Sequence, residues 1–266
     1  MLSLTNPFHL LVPPWGRLKL EKDRHGIIIL DRKQIYLGSL VKPISGKVVY
    51  VCGIPDSSLE LLCALVKTTR MDFCWPSFTD LRPLRQCKQL RHLAIRDNTK
   101  LRQLVDLRGL PLESLILQST RRLHDLSPVQ TLRKLRHFEF GGGWGKSYVA
   151  DSLEPLSKLP RLERLHLLNL RVKRKGLTPL ANCKKLKVLE LPNQFPTEQF
   201  ALLAAKLPRT KCDLFAPWVS STCPGVNVMI TGSRMPFLHS KRDRARIRKY
   251  EERFEQLRAS FLNTSP

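Results

Sequence analysis

The chain has 266 residues, of which 42% are hydrophobic and 26% are charged, so it can build a substantial core and is not globally disordered. Lys and Arg number 46 against 22 Asp and Glu, which gives a formal net charge of +24. Such a charge attracts acidic proteins, nucleic acid or anionic surfaces, and it does not determine the fold.

The N-terminal segment, MLSLTNPFHLLVPPWG, has no basic region before its short apolar run, which Pro13 and Pro14 interrupt. It does not resemble a secretory signal, and no stretch is long enough to span a membrane. The seven cysteines are odd in number and none is spaced Cys-x-x-Cys, which argues against a zinc site or a disulfide framework. We therefore expect a cytoplasmic protein with reduced cysteines, without cofactor, metal or membrane contact.

Residues 26–39, GIIILDRKQIYLGS, predict two strands around Asp31, Arg32 and Lys33, which would form a capping hairpin. The segments that follow repeat a common pattern, L-x-P-[LV]-x-x-[LC]-x-x-L-x-x-[LF]-x-[ILF]. It occurs in DLRPLRQCKQLRHLAI (80–95), DLSPVQTLRKLRHFEF (125–140), SLEPLSKLPRLERLHL (152–167) and GLTPLANCKKLKVLEL (176–191), and in a shortened form at 104–117.

Weaker copies extend the repeat in both directions. Apolar-x-apolar pairs begin at Val49, Met71, Leu93, Leu115, Phe138, Leu165, Leu189 and Cys212, at spacings of 22, 22, 22, 23, 27, 24 and 23 residues. The repeats resemble leucine-rich repeats of the short internalin-like kind over about residues 45–215. One departure is that the Asn ladder typical of that family falls on Asn98, Thr120, Gly143, Leu170 and Gln194, so it is largely missing.

The resemblance implies an α/β solenoid with a parallel concave sheet of about eight strands. One such repeat cannot bury its own apolar face, whereas stacked repeats form a continuous core. The proline in each repeat favours short 3-10 or irregular convex turns. We expect an N-terminal cap over 1–44, the solenoid over 45–216 and a C-terminal cap over 217–266.

The segment GGGWGKS, 141–147, matches only the end of the phosphate-binding pattern G-x-x-x-x-G-K-[ST], because Phe140 stands where the first glycine is required. We interpret it as an insertion loop, which the 27-residue spacing requires, with Trp144 as a contact residue. Nucleotide binding at Lys146 is the outlying alternative.

Alignment of the strands places outward residues in rows along the concave face. One row brings Glu139, His166 and Glu190 together, and the next contains His92, His137 and Arg164. A metal site from the first three is conceivable, but a polar row facing water is the favoured interpretation. A third row alternates in sign, through Arg91, Glu113, Arg136, Glu163 and Lys187, and can form a ladder of ion pairs.

The excess positive charge lies at strand entries, on turns and on the last helix. Residues 240–262 predict that helix, with Ser240 as its N-cap and an apolar stripe packed on the chain itself. The C-terminal tail also resembles the ends of uncharacterised bacterial leucine-rich-repeat proteins, which implies a bacterial origin. Candidate nucleic-acid contacts are Arg133, Lys134, Arg171, Lys173, Arg174, Lys175, Lys184, Lys185, Arg244 and Arg248.

The leading hypothesis is a non-enzymatic scaffold of adaptor, immunity or regulatory type that binds an acidic or mixed-charge protein. Its predicted contacts are His92, His137, Glu139, Trp144, Arg164, His166 and Glu190. The alternative is a nucleic-acid or ribonucleoprotein-associated factor that uses a basic rim and the terminal helix.

Overall fold

The computed structural model describes residues 27–30, 44–104, 107–143, 145 and 147–263. Its strands in chain order are β1 (Ile27–Leu30), β2 (Ile44–Ser45), β3 (Val48–Cys52), β4 (Val66–Lys67), β5 (Arg70–Cys74), β6 (His92–Arg96), β7 (Ser114–Gln118), β8 (His137–Gly141), β9 (Tyr148–Ser152), β10 (Arg164–Leu168), β11 (Leu170–Arg174), β12 (Val188–Glu190), β13 (Trp218–Ser220), β14 (Val228–Ile230) and β15 (Phe237–Leu238). Eight of them form one parallel sheet in the order β1-β3-β5-β6-β7-β8-β10-β12.

The convex side is built from short turns and two longer helices. The helices of the described chain are α1 (Asp56–Leu65), α2 (Glu154–Ser157), α3 (Thr197–Lys206) and α4 (Arg244–Asn263). The 3-10 turns are Arg82–Gln86, Ser127–Thr131, Thr178–Asn182 and Asp213–Phe215. The first three of these turns and α2 each have proline in their first two positions, as the repeat predicts. The first and last convex turns, α1 and α3, are longer than predicted, with ten residues each.

The main core is a column of apolar side chains between the sheet and the convex turns, and a separate small cluster in the C-terminal region contains Val228, Ile230, Leu238 and Ile247. The seven strands of the main sheet from β3 to β12 each contribute inward residues that are at most 1% exposed, among them Leu93, Leu115, Phe138 and Leu165. The main core continues from Val49 at one end to Phe254 of α4 at the other. A leucine-rich-repeat solenoid is therefore the observed fold, and its continuous core supplies the burial that a single repeat lacks.

Scattered side chains tie neighbouring turns together in place of a regular Asn ladder. The Asn98 amide nitrogen donates to the Phe78 carbonyl at 2.9 Å, and its oxygen accepts from the Lys100 and Leu101 amides at 2.9 Å. Further along, the Asn169 amide nitrogen donates to the Gly143 carbonyl at 3.0 Å. Asn169 lies one residue before the position that the family pattern assigns.

The insertion contains a strand that the sequence did not predict. Within it, β9 pairs in parallel with β11 and forms a small second sheet beside the ends of the main strands. Gly141 closes β8 opposite Leu168, and its φ of 124° is a conformation that favours glycine. A Cβ at Gly141 would collide with the Leu168 carbonyl, so this position requires glycine.

At the front, β1 pairs in parallel with β3 and extends the sheet by one strand. The turn and second strand of the predicted hairpin lie outside the described residues. At the back, the strand predicted at Cys212 is wrong. Only Lys211 bridges to Val188, and the Phe215 amide then donates to the Cys212 carbonyl at 3.1 Å, which closes the 3-10 turn Asp213–Phe215 in place of a strand.

The C-terminal region packs on the end of the solenoid. The antiparallel sheet β13-β14-β15 precedes α4, whose Phe254 is fully buried against the core. The predicted N-cap is wrong: α4 begins at Arg244, the Ile247 amide donates to the Asp243 carbonyl at 3.0 Å, and Ser240 instead bonds Asn227. No helix in the described ranges combines the length and apolar character needed to cross a membrane.

Asn98→Ala should lower the free energy of unfolding by about 2–4 kcal/mol, because it leaves a buried carbonyl and two amides without partners. Urea denaturation measures the difference. The control is Asn182→Ala, an exposed asparagine at the end of a 3-10 turn, which should change stability by less than about 0.5 kcal/mol. Equal effects of the two substitutions would show that the cross-turn bonds contribute nothing.

Candidate functional site

The rows predicted for the concave face are present in the sheet. Glu139 lies opposite His166, and His166 lies opposite Glu190, on the three neighbouring strands β8, β10 and β12. In the adjacent row, His137 lies opposite Arg164. Both placements are confirmed, because parallel pairing holds equivalent residues of successive repeats side by side.

His166 lies between two carboxylates in the first row. Its Nδ1 atom is 3.6 Å from Glu139 Oε2, and its Nε2 atom forms an ion pair with Glu190. The Glu139 side chain is 4% exposed, that of His166 26% and that of Glu190 59%. Exposure therefore increases from Glu139 through His166 to Glu190, and within this cluster only His166 and Glu190 are accessible to a partner.

The ionisation of the cluster follows from this arrangement. Burial alone would lower the pKa of His166, but the hydrogen bond that its imidazole donates to Glu139 and the charge of Glu190 outweigh burial and raise that pKa. Burial alone would raise the pKa of Glu139, yet the hydrogen bond and charge of His166 lower it. The two carboxylates therefore favour the protonated form of the His166 imidazole, which links the three strands.

The other two predicted histidines favour the neutral state. Burial lowers the pKa of His92, and the positive charge of Arg70 lowers it further. Burial also lowers the pKa of His137, whose Nδ1 atom lies 3.2 Å from the Ser114 hydroxyl. These side chains offer uncharged hydrogen-bonding groups next to the charged cluster.

A second polar network on the same face was missed from the sequence. The Arg96 Nε atom donates to both Asp72 carboxylate oxygens at 3.2 and 3.3 Å, and Arg96 Nη1 donates to Gln118 Oε1 at 2.7 Å. Burial raises the pKa of Asp72, and the Arg96 guanidinium opposes that rise. Alignment of the residues at the strand ends, where Arg96 is the register partner of Gln118, would have revealed the network.

The prediction that the row of Glu139, His166 and Glu190 faces water is wrong for Glu139, and the residues that continue this row on β5, β6 and β7 are buried as well. Ile116 is fully buried, Ala94 is 1% exposed, Asp72 is 2% exposed and Glu139 is 3% exposed. Arg96, on β6, bonds Asp72 on β5 and Gln118 on β7, so its side chain links three neighbouring strands on this face. The open, charged part of the concave face therefore lies on β10 and β12.

The predicted ladder of ion pairs is also present, at the entries of the strands. Arg91 pairs with Glu113 at 2.6 Å, Arg136 pairs with Glu163 at 2.6 Å, and Lys187 pairs with the same Glu163 at 3.0 Å. The side chains of these pairs are 33–69% exposed, except that of Glu163 at 23%, so each pair adds little stability. The ladder neutralises the acidic residues of this row.

The insertion loop does not form a phosphate-binding loop. Strand β9 follows directly after Ser147, where a P-loop requires the N-terminus of a helix. The Ser147 hydroxyl donates to Asn169 Oδ1 at 3.2 Å, which ties the loop to the next repeat. Trp144 and Lys146 lie outside the described residues, so their predicted roles stay predictions.

The candidate nucleic-acid residues separate onto different parts of the molecule. Arg133, Lys134, Lys184 and Lys185 lie on turns that lead into strands, and all four are exposed. Arg171, Lys173, Arg174 and Lys175 lie on or after β11, beyond the opposite ends of the strands, where Lys173 and Lys175 pair with Asp151 and Glu154. These two groups therefore lie at opposite ends of the strands and do not share one edge.

Arg244 and Arg248 belong to a third location. They line a cleft of about 310 Å³ between α4 and the three-stranded sheet, together with Trp218. The Trp218 indole nitrogen donates to Glu251 Oε1 at 2.8 Å across this cleft. The cleft lies at the C-terminal end, away from the concave rows.

A metal at the Glu139, His166 and Glu190 cluster does not fit the geometry. Both ring nitrogens of His166 face carboxylates, and its raised pKa favours the protonated form, whereas a metal ligand must be a neutral imidazole. Within the described ranges, no group of three His, Cys, Asp or Glu residues could hold a metal ion.

The stacked repeats, the parallel concave sheet and the proline-containing convex turns define this chain as a leucine-rich-repeat solenoid. No protein-family model matches the chain, and no curated protein matches it either. Among solved structures, it is similar to internalin C2 of Listeria monocytogenes, with 23% identity, 60% of this chain and 65% of that chain covered, and a TM-score of 0.44.

Two further structures show the same kind of similarity. An internalin (inlF) of Listeria monocytogenes has 20% identity over 62% of this chain and 57% of its own, with a TM-score of 0.32. A leucine-rich-repeat protein of Leptospira interrogans has 16% identity over 63% of this chain and 54% of its own, with a TM-score of 0.37. The matches span less than two thirds of each of these structures, so the fold of the present chain rests on its own register and core.

His166 should titrate above the ordinary histidine pKa of about 6.5. Glu139→Gln and Glu190→Gln should each lower its pKa, because each removes one of the two carboxylates that favour the imidazolium. Two-dimensional NMR of the ring protons measures both shifts, and His92 serves as the internal reference because it lies outside the cluster. A His166 pKa that stays constant in both variants would contradict the bridging geometry.

The free energy of unfolding should depend on pH in a way that reflects the raised pKa of His166 in this cluster. Because the folded pKa of His166 is raised above its unfolded value, the stabilisation is complete below the unfolded pKa and is lost as the pH rises through the folded pKa. The free energy of unfolding of His166→Gln should therefore differ most from wild type below about pH 6 and least at alkaline pH. Urea denaturation across this range measures the difference, and a gap that widens with pH would contradict this sign.

Proposed function

We propose that this chain is a non-enzymatic scaffold that binds a protein partner through its concave face, in a role of adaptor, immunity or regulatory type. Leucine-rich-repeat coils in general offer extended concave surfaces for binding. The observation that carries the proposal is the charged group on β10 and β12, formed by Arg164, His166 and Glu190, which is open to solvent at the same face.

The register of the sheet supports the proposal, because it fixes these side chains before any partner arrives. Arg164 and His166 lie on one strand, and Glu190 lies opposite His166 on the next. Beneath them, the buried Glu139 carboxylate holds the imidazole in place from the previous strand. A preorganised polar surface loses less side-chain entropy on binding, which favours a specific complex.

The charges define the kind of partner. Arg164 is exposed and offers a guanidinium to a carboxylate, whereas Glu190 offers a carboxylate to a basic group at a neighbouring position. A protein surface of mixed charge matches both, and complementarity of this kind contributes specificity and the rate of association. We therefore propose a mixed-charge protein surface with an acidic residue that meets Arg164.

We also propose the cytoplasm as the compartment, because the cysteines of the repeat act as core residues. Cys183 is buried, its thiol donates to the Leu156 carbonyl at 3.6 Å, and burial raises its pKa to about 12. Cys87 occupies the equivalent position and donates to the Cys63 carbonyl at 3.8 Å. Buried thiols of this kind are inert and need no oxidising environment.

The experiment is affinity capture from the native cell after nuclease treatment, with a charge-swapped variant as the test. Arg164→Glu combined with Glu190→Lys leaves the net charge unchanged and inverts the open part of the concave face. We expect partners recovered with the wild-type chain to fall about tenfold or more with this variant, since misplaced charges at an interface cost several kcal/mol.

The matched control is Arg122→Glu combined with Glu60→Lys, which exchanges the same residue types away from the concave face. Arg122 follows β7 and Glu60 lies on α1, and both are exposed. Recovery with the control should equal that of wild type. If the concave swap recovers every partner as well as the control does, the proposal of a concave binding site is wrong.

A further inference from the structure

An acidic residue precedes the convex turns Arg82–Gln86 and Ser127–Thr131, whereas Lys175 precedes Thr178–Asn182. Asp80 Oδ1 accepts from the Arg82 amide at 2.8 Å, and Asp125 Oδ1 accepts from the Ser127 amide at 2.8 Å. Carboxylates suit this end because the first amides of a helical turn have no partners within it. Basic residues stand where the turns end and the next strand is about to begin.

Stacking collects these basic ends at one edge of the solenoid. We call this edge the entry rim and define it by Lys88, Arg133, Lys134, Lys158, Arg161, Lys184, Lys185 and Arg209. All of them are exposed, and none pairs with a carboxylate in the part of the chain that the structure describes. The nearest acidic residues, Glu113 and Glu163, are held in the ion-pair ladder on the concave side.

The entry rim recurs along the solenoid because all of its residues except Lys158 lie one or two residues after the leucine or cysteine that follows a convex turn or helix, although the shortened repeat at 104–117 contributes none. The Arg133 Nη1 atom donates to the Lys158 carbonyl at 2.9 Å, and the Lys184 Nζ atom donates to the Lys206 carbonyl at 3.3 Å. Each bond links one turn to the next and directs positive charge along the edge. Strands about 4.8 Å apart place the turns of Lys88 and Arg209 roughly 24 Å from each other.

We propose that the entry rim binds the phosphate backbone of duplex nucleic acid without reading the bases. Its length corresponds to about two thirds of a turn of duplex, which brings several phosphates within reach of the array. The mixed-charge concave face suits a protein, but the entry rim carries one sign of charge only.

The residues that define the entry rim include no large hydrophobic side chain, which favours duplex nucleic acid over other anionic partners. The exposed large hydrophobic residues of the described chain are Leu61, Trp75, Phe237 and Leu262, and none lies on the entry rim. Protein interfaces rely on buried aromatic or aliphatic anchors, and surface-bound membrane proteins insert them. Single strands are bound by stacking on aromatic rings, which this edge also lacks.

The test is the binding of the full chain to a short, fluorescein-labelled DNA duplex of mixed sequence, followed by anisotropy at salt concentrations from about 50 to 200 mM. Wild type should bind with an affinity that falls steeply with salt and depends little on the sequence. The rim variant carries Arg133→Gln, Lys134→Gln, Lys184→Gln and Lys185→Gln. Its log–log salt slope should be shallower by about 3–4, and its affinity at low salt should fall about 100-fold or more.

The matched control removes the same charge from beyond the other ends of the strands, with Lys100→Gln, Arg122→Gln, Arg171→Gln and Arg174→Gln. Its affinity should stay within about threefold of wild type, because these residues lie across the molecule from the entry rim. Equal weakening in both variants would overturn the proposal in favour of net charge alone. Thermal unfolding of both variants verifies that each is folded.

Three further outcomes are informative. Duplex RNA should bind with the same dependence on the entry rim, since only the backbone is contacted. Phosphatidylserine vesicles that bind the chain through the entry rim while the duplex does not would overturn the assignment. The concave swap of Arg164 and Glu190 should leave duplex binding unchanged, so failure here is distinct from failure of the proposed protein-binding function.

Discussion

The parallel, in-register stacking of successive repeats is the constraint on which the rest of the structure depends. Each repeat contributes a strand of three to five residues and a convex turn or helix, and neither can bury its apolar face without the neighbouring repeat. The backbone hydrogen bonds at the strand entries hold neighbouring repeats in this register. The Arg136 amide donates to the Glu113 carbonyl, and the Glu163 amide donates to the Arg136 carbonyl, both at 2.8 Å. A shift of one residue would place leucines in water and charges in the core.

The same stacking determines where charge is found. Residues at one position of the repeat lie in a line along the solenoid, so a residue type that recurs at that position forms a continuous surface. On the concave side the residue types differ between repeats, which yields the localised cluster around His166. On the entry rim most repeats have Lys or Arg, which yields a basic edge. Two proposed partners of different chemistry therefore follow from one geometry, on two faces that are independent of each other.

Much of this could be predicted from the sequence, because the leucine spacing fixes both the fold and the register. The alignment of Glu139 with His166 and Glu190 needed only the position of each strand. Other features depend on three-dimensional information that no spacing contains. The Arg96 bridge to Asp72 depends on how far a side chain reaches across the face. The separation of Lys184 from Arg174 depends on the direction in which the chain leaves a strand, and the loss of a strand at Cys212 depends on a 3-10 turn that the apolar-x-apolar spacing does not reveal.

The most direct test of the stacked register is the measurement of NMR couplings through backbone hydrogen bonds in the deuterated chain. Couplings should join the Glu113 amide to the Arg91 carbonyl, Arg136 to Glu113, Glu163 to Arg136 and Lys187 to Glu163. Couplings from these amides to carbonyls four residues earlier in their own repeats, or to a neighbouring repeat shifted by one residue, would contradict the solenoid and the rows built on it.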